Sequence, residues 1–283
     1  MRGRVWSVQL LGLGIIAACA GKQEAKETKQ AAAPPTPLPV VEVVAADYAF
    51  QAPDTIKAGL VTMRLRNTGK ELHHVLVIRL NEGKTLKDVG EALKTSEIPP
   101  AWVVTLGGPN APAPGGPVSQ ATVRLTPGSY ALLCVIPSPD GTTHVAKGMA
   151  KPFVVVAGAS GGRPPAPDLT VRLSDYDFEF SQPLTAGHHV IRVENTANQF
   201  HEMFLARLEP GKTALELARW AEKPEGPPPG VPFGGVTALS HDEFNVIEVN
   251  LQPGEYALIC FLPDAKDGKP HLLHGMLKQL KIS

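Results

Sequence analysis

Cysteine is scarce: the 283 residues contain three, Cys19, Cys134 and Cys260, too few for a disulfide framework, so each needs its own explanation. Excess charge is missing as well. Lys+Arg equals Asp+Glu at 27 each, which leaves no basic surplus to neutralise a phosphate backbone or grip an anionic membrane and speaks against nucleic acid as a partner. No His-Glu-x-x-His helix or phosphate-cradling loop occurs, so no metalloprotease or nucleotide-handling motif is present. Aromatics are only 6%, while Pro 28 and Gly 27 are abundant, a balance that predicts many turns between short strands and an all-β architecture. The 43% apolar content rules out wholesale disorder, and the length leaves room for about two domains.

The N-terminus reads as an address. Arg2 and Arg4 precede an apolar run from Val8 through Ile16, Ala17 and Ala18, the three zones of a secretory signal in a run too short to span a bilayer. Ile16-Ala17-Ala18-Cys19 resembles a bacterial lipobox, which implies removal of residues 1–18 and a lipid on Cys19. Ala20, where an inner-membrane retention signal usually shows Asp, leans the expectation towards a periplasm-facing outer-membrane anchor. Residues 19–39 mix Lys, Gln, Glu and Ala and run into Pro34-Pro35-Thr36-Pro37 with no apolar face, so they predict a tether. A flexible coil of that length reaches roughly 25 Å.

The remainder is one unit written twice, at a lag of 126 to 128 positions. Asp47-Tyr48-Ala49-Phe50 returns as Asp175-Tyr176-Asp177-Phe178, Asn67-Thr68 with His73 returns as Asn195-Thr196 with His201, and Gly107-Gly108 returns as Gly234-Gly235. Pro127-Gly128-Ser129-Tyr130 with Cys134 likewise returns as Pro253-Gly254-Glu255-Tyr256 with Cys260. The pattern predicts two separately cored domains, 40–157 and 168–283, joined by the Gly/Ser/Pro-rich linker 158–167. Alternating apolar residues predict strands over 62–66, 75–80, 190–194 and 203–208, and helical spacing predicts one short helix in each copy, over 85–94 and 213–222. The Pro/Gly-rich segments 96–117 and 223–235 read as exposed loops.

Soft-metal ligands recur in equivalent places: His73, Cys134, His144 and Met149 in the first copy, His201, Cys260, His271 and Met276 in the second. Two imidazoles and a thiolate bind copper in a trigonal arrangement, with a long axial thioether that tunes the potential. One His comes early from a strand end, and the other three ligands cluster on a later strand-loop-strand. With Pro-Gly-x-Tyr-x-Leu-x-Cys before that loop and His-x-x-x-Gly-Met after it in both copies, the chain resembles the cupredoxins. The resemblance implies two tandem Greek-key β-sandwiches with one mononuclear copper site each, the eight residues taking the roles of their motif positions. Many cupredoxins place an Asn after the early His to brace the cysteine loop; this chain has His74 and Glu202 there.

Copper enzymes of two such domains need His beside the cysteine to wire a second copper site. Here Leu133 and Val135 flank Cys134, Ile259 and Phe261 flank Cys260, and no His-x-His pair occurs. The expected function is therefore non-enzymatic: copper binding with electron transfer between extracytoplasmic redox partners. Copper buffering or delivery is the nearest rival reading, and a metal-free interaction module is a third. His74, His188, His189, His241 and His274 have no counterpart in the opposite copy and read as surface or supporting residues, while Tyr48, Phe50, Tyr176 and Phe178 read as sandwich core.

Overall fold

The computed structural model describes Gly3 and residues 37–81, 83–94, 99–100, 102–158, 161–223 and 225–283. The leader apart from Gly3, Cys19 and the tether up to residue 36 lie outside the described residues. Among the described residues no helix is long and apolar enough to cross a membrane.

The first copy runs β1 Val40–Ala46, β2 Ala49–Gln51, β3 Thr55–Lys57, β4 Gly59–Asn67, β5 Leu76–Leu80, α1 Leu86–Leu93, β6 Val103–Thr105, β7 Ser119–Leu125, β8 Gly128–Leu133 and β9 Ala150–Val156. The second runs β10 Leu169–Ser174, β11 Asp177–Phe180, β12 Gly187–Asn195, β13 His201–Leu208, α2 Ala214–Glu222, β14 Gly230–Leu239, β15 Phe244–Leu251, β16 Gly254–Ile259, a 3-10 turn His271–His274 and β17 Leu277–Ile282. The protein is all-β with two short helices, as its composition predicts. In each copy one sheet of order β2-β1-β4-β7 or β11-β10-β12-β15 faces another of order β3-β9-β8-β5-β6 or β17-β16-β13-β14, and the chain changes sheets between β4 and β5 and between β7 and β8.

Each sandwich closes over its own core. Val43, Met63, Leu65, Val77, Leu132 and Phe153 fill the first, and Val171, Phe178, Val193, Leu205, Ile247 and Leu258 fill the second. Strands β5 and β13 are buried on both faces, because the face turned away from the core is covered by the helix and by the other copy. Both helices start on a reciprocal capping box, Thr85 with Asp88 and Thr213 with Glu216, which satisfies two of the open N–H groups at the helix start. The repeated Pro-Gly-x-Tyr closes a corner: the Tyr130 hydroxyl donates to the Thr126 carbonyl at 2.7 Å and the Tyr256 hydroxyl to the Gln252 carbonyl at 3.0 Å.

The Pro/Gly-rich segments are only in part the exposed loops that their composition predicts: residues 114, 115, 117 and 225–228 are exposed, but the rest departs from that reading. Residues 106–111 are buried, and 230–239 form β14. The 106–112 segment lies extended between β5 and β14: the N–H groups of Val75 and Val77 donate to the carbonyls of Pro109 and Gly107, at 3.0 and 2.8 Å, and its other edge bridges β14 at Leu106–Leu239, Pro109–Val236 and Pro112–Phe233. Composition misleads here because proline and glycine fit an extended edge whose hydrogen bonds come from a neighbour. Since β7 also pairs with β15 through Thr122 and Val246, the copies are joined at both sheets.

The register of these bridges shows an approximate twofold relation. Exchanging the copies turns the Leu106–Leu239 pair into the Phe233–Pro112 pair and maps the Pro109–Val236 pair onto itself. Backbone approaches so closely here that a Cβ at Gly108 would overlap the Val75 carbonyl and one at Gly235 the Met203 carbonyl, at φ of 129° and 108°. This explains the repeated Gly-Gly. Gly235→Ala is expected to destabilise the chain by about 3 kcal/mol, combining a left-handed backbone penalty with a backbone clash; urea denaturation measures it, and a loss below ~0.5 kcal/mol would contradict the close approach.

Candidate metal centres

Each centre begins at an asparagine. Asn67 and Asn195 fold the loop before the early histidine by donating to the carbonyls of Glu71 and Gln199, both at 2.8 Å, while their side-chain oxygens accept the N–H groups of Gly69 and Ala197. That loop delivers His73 or His201 to the pole of the sandwich. The other ligands arrive on one hairpin whose backbone bonds are the same in both copies: the N–H of Met149 donates to the His144 carbonyl and that of Cys134 to the Met149 carbonyl, as Met276 does to His271 and Cys260 to Met276. All eight residues predicted as ligands are fully buried. Cys134 and Cys260 are unpaired and sit in separate cores, so no bridge joins them.

The donor atoms converge. In the first centre the His73 and His144 Nδ1 atoms lie 3.0 Å apart, with Cys134 Sγ 3.3 Å from His144 Nδ1. In the second, Cys260 Sγ lies 3.3 Å from His271 Nδ1 and 3.9 Å from His201 Nδ1. Within each His-Cys-His group the ligand atoms all fall within 4.8 Å of one another.

The opposite ring nitrogens decide what those atoms are. His73 Nε2 meets Asp47 Oδ1 at 2.8 Å and His144 Nε2 meets Glu71 Oε2 at 2.8 Å. Partial burial pulls the Asp47 and Glu71 carboxyls up, but hydrogen bonds outweigh it and hold both below the ordinary carboxylate range: from His73 and the Lys70 and Glu71 backbone in one case, from Tyr48, His144 and Ser138 in the other. Ionised carboxylates only accept, so each Nε2 carries a proton, and in a neutral ring that leaves Nδ1 as a bare lone pair. Two lone pairs facing each other at 3.0 Å repel unless a cation lies between them. The second centre repeats this with His201 Nε2 on Asp175 Oδ1 at 3.0 Å, and with His271 Nε2 on the Gln199 amide oxygen at 3.1 Å, Asp264 lying 3.7 Å away. Burial and the neighbouring His201 push His271 down to about 4, and burial pushes the Cys134 thiol up to about 12 and Cys260 higher. Two imidazoles and a thiol held dry at one point, with Met149 or Met276 buried at the end of the same hairpin, suit a soft or borderline cation, and the groups behind each imidazole fix its tautomer and raise its basicity.

His74 and Glu202 take the bracing place. The N–H of Val135 donates to His74 Nε2 at 3.1 Å, and that of Phe261 to Glu202 Oε1 at 3.1 Å, so the backbone just after each cysteine is pinned by the residue next to the early His. Burial pushes His74 down to about 3 and so keeps it a neutral acceptor; it also pushes Glu202 up to about 7. Sequence reading missed the supporting residues Asp47, Tyr48, Glu71, Asp175, Tyr176 and Gln199. Tyr48 and Tyr176, read as core, do pack against it, and their hydroxyls also donate, to Glu71 at 2.8 Å and to Asp264 at 2.6 Å. The repeated Asp-Tyr-x-Phe was the available signal, with Phe50 and Phe178 buried in the core.

The centres and the sandwiches that hold them fit a cupredoxin-like protein. No protein-family model matches the sequence, and no curated protein matches it. Solved structures similar to the chain include dithionite-reduced auracyanin from the photosynthetic bacterium Roseiflexus castenholzii, 21% identical over 41% of this chain and 96% of that one at a TM-score of 0.30. Auracyanin A from Chloroflexus aurantiacus, described as a "blue" copper protein, is 18% identical over 42% and 98% at 0.30. A copper-containing nitrite reductase from Thermus scotoductus is 14% identical over 86% of this chain and 61% of that one at 0.25.

The bracing role predicts that His74→Leu, which leaves the Val135 N–H without its acceptor, destabilises the metal-free chain by about 1–3 kcal/mol. Urea denaturation would read the loss, and hydrogen exchange at Val135 would place it.

Proposed function

We propose that this chain is a lipid-anchored, extracytoplasmic copper protein that carries electrons between redox partners in the cell envelope. Its two mononuclear centres would be held by His73, Cys134, His144 and Met149 and by His201, Cys260, His271 and Met276. One observation carries this reading: in each copy two imidazole nitrogens and a cysteine sulfur converge in a buried pocket, with the far ring nitrogens already engaged. Bound there, copper supplies a one-electron couple. The residues supply rigidity. Asp47 and Glu71, or Asp175 and Gln199, fix the ring orientations, while His74 and Glu202 hold the cysteine backbone, so little needs to move when the charge changes.

The residues beside the cysteines favour a carrier over an enzyme, since Leu133, Val135, Ile259 and Phe261 offer no further metal ligand. Complete burial of the ligands favours electron carriage over copper delivery, which requires an ion to enter and leave. The lipid on Cys19, the outer-membrane placement and the tether over 19–39 follow from the lipobox-like Ile16-Ala17-Ala18-Cys19 and the composition after it.

Chain from Ala20 onward, loaded with Cu(II), is expected to retain two coppers, show an intense thiolate-to-copper band and cycle reversibly by one electron per centre. Cys134→Ser and Cys260→Ser should each remove one copper and part of the band. Retention of Cu(I) alone, without a reversible couple, would favour copper handling. Failure to retain copper in either oxidation state would overturn the metal reading.

A further inference from the structure

The two centres are linked by a continuous route of covalent and hydrogen bonds that neither centre needs for its own ligation. From His73 the chain runs through His74 to Val75, whose N–H donates to the Pro109 carbonyl at 3.0 Å. Asn110 follows, and its Nδ2 donates to Glu202 Oε2 at 3.2 Å, one residue from His201. Between an early histidine of one centre and that of the other there are thus only covalent bonds and two hydrogen bonds. A second route crosses the twofold in the opposite sense: Met203 pairs with Val236, and the next residue, Thr237, donates its hydroxyl to the Val75 carbonyl at 3.1 Å. Asn110 and Thr237 are buried at the junction of the copies.

The same Asn110 amide also donates to the Val236 carbonyl at 3.2 Å, and its side-chain oxygen accepts the Ala111 N–H at 2.8 Å, so its orientation is fixed on three sides. Val75, Pro109 and Thr237 are held by backbone bonds of the interlocked sheets, and Gly108 and Gly235 allow the approach. The bridge is as buried as the cores on either side. Electron tunnelling favours such connected and dry paths over gaps and water.

We propose that the two centres exchange an electron within one molecule through this bridge, with Asn110 and Thr237 as its positioning residues. The step balances without a co-reactant: Cu(I) at one centre becomes Cu(II) as Cu(II) at the other becomes Cu(I), both thiolates stay bound, and no proton moves. The chain then acts as a two-centre relay rather than as two independent carriers. This inference rests on the copper reading above.

The test uses chain from Ala20 onward carrying Met149→Leu, which removes the thioether of the first centre and separates its potential and absorption from those of the second. Copper content and both charge-transfer bands are recorded first; their absence counts against the copper reading, not against the bridge. A sub-stoichiometric pulse of a one-electron radical reductant then populates both centres, and redistribution is followed by absorption. The expected result is a first-order phase whose rate does not change on diluting the protein and which vanishes in Cys260→Ser. Asn110→Ala should slow it by roughly tenfold and Thr237→Val should slow it further. Redistribution proportional to protein concentration, or none, would overturn internal exchange, and needs no bridge variant. An internal phase unchanged by both Thr237→Val and Asn110→Ala would overturn the route.

Discussion

Two imidazoles, which would otherwise face water, are brought with a thiol to one dry point in each half of this molecule, and the surrounding structure is arranged to make that possible. The hydrogen bond behind each imidazole is the constraint on which it rests. Without Asp47 behind His73 and Glu71 behind His144, nothing would hold the ring protons on Nε2, and the Nδ1 atoms would not face inward as lone pairs. The loop that Asn67 folds, the tyrosine that steadies Glu71 and the hairpin bonds that fix Cys134, His144 and Met149 all serve that orientation. Among the described residues, no buried side-chain nitrogen or oxygen is left without a partner. The polar cost of the site is thus spread over a satisfied network, in which a half-satisfied arrangement would be worse than an apolar core.

The two copies share their candidate ligands and differ in their supports. Glu71 stands in the first copy where Gln199 stands behind the later histidine of the second, and His74 where Glu202 stands behind the cysteine loop, so each centre has one carboxylate placed differently from the other. In the second copy Asp264 compensates in part, gathered beside His271 by Tyr176 and Gln199, whose hydrogen bonds hold its carboxyl well below the ordinary range. A neutral amide against one ring and a carboxylate against the other is a different field from two carboxylates. The two halves are therefore two versions of one site rather than copies of it.

What the sequence made legible was whatever repeats along the chain. The lag of 126 to 128 positions singled out the ligands because their types recur together, and alternation exposed β4 and β12 because one face of each meets the core. Strands β5 and β13 obscure that alternation, since the far face is covered by a helix and by the other copy. Residues 106–112 were illegible for a stronger reason. Their structure comes from hydrogen bonds supplied by Val75, Val77 and β14, residues distant in sequence, and a Pro/Gly-rich stretch carries no mark of such partners. Asp47 and Tyr48 were hidden likewise, because a carboxylate 26 positions before its histidine shows no local pattern that ties them.

The twofold junction also solves a problem that either sandwich alone would face. A single copy would leave β7 and the 106–112 segment as open edges with unpaired backbone groups, templates for uncontrolled pairing. Here each edge is closed by its own counterpart, β7 on β15 and 106–112 on β14, so the copies satisfy each other's backbone in a closed, self-complementary contact. Such closure demands backbone proximity, which is why glycine stands at 108 and 235. It also places Val75 and Glu202, each within two residues of a candidate ligand, against the opposite copy. The contact that protects the edges is thus the one that brings the surroundings of the two centres together.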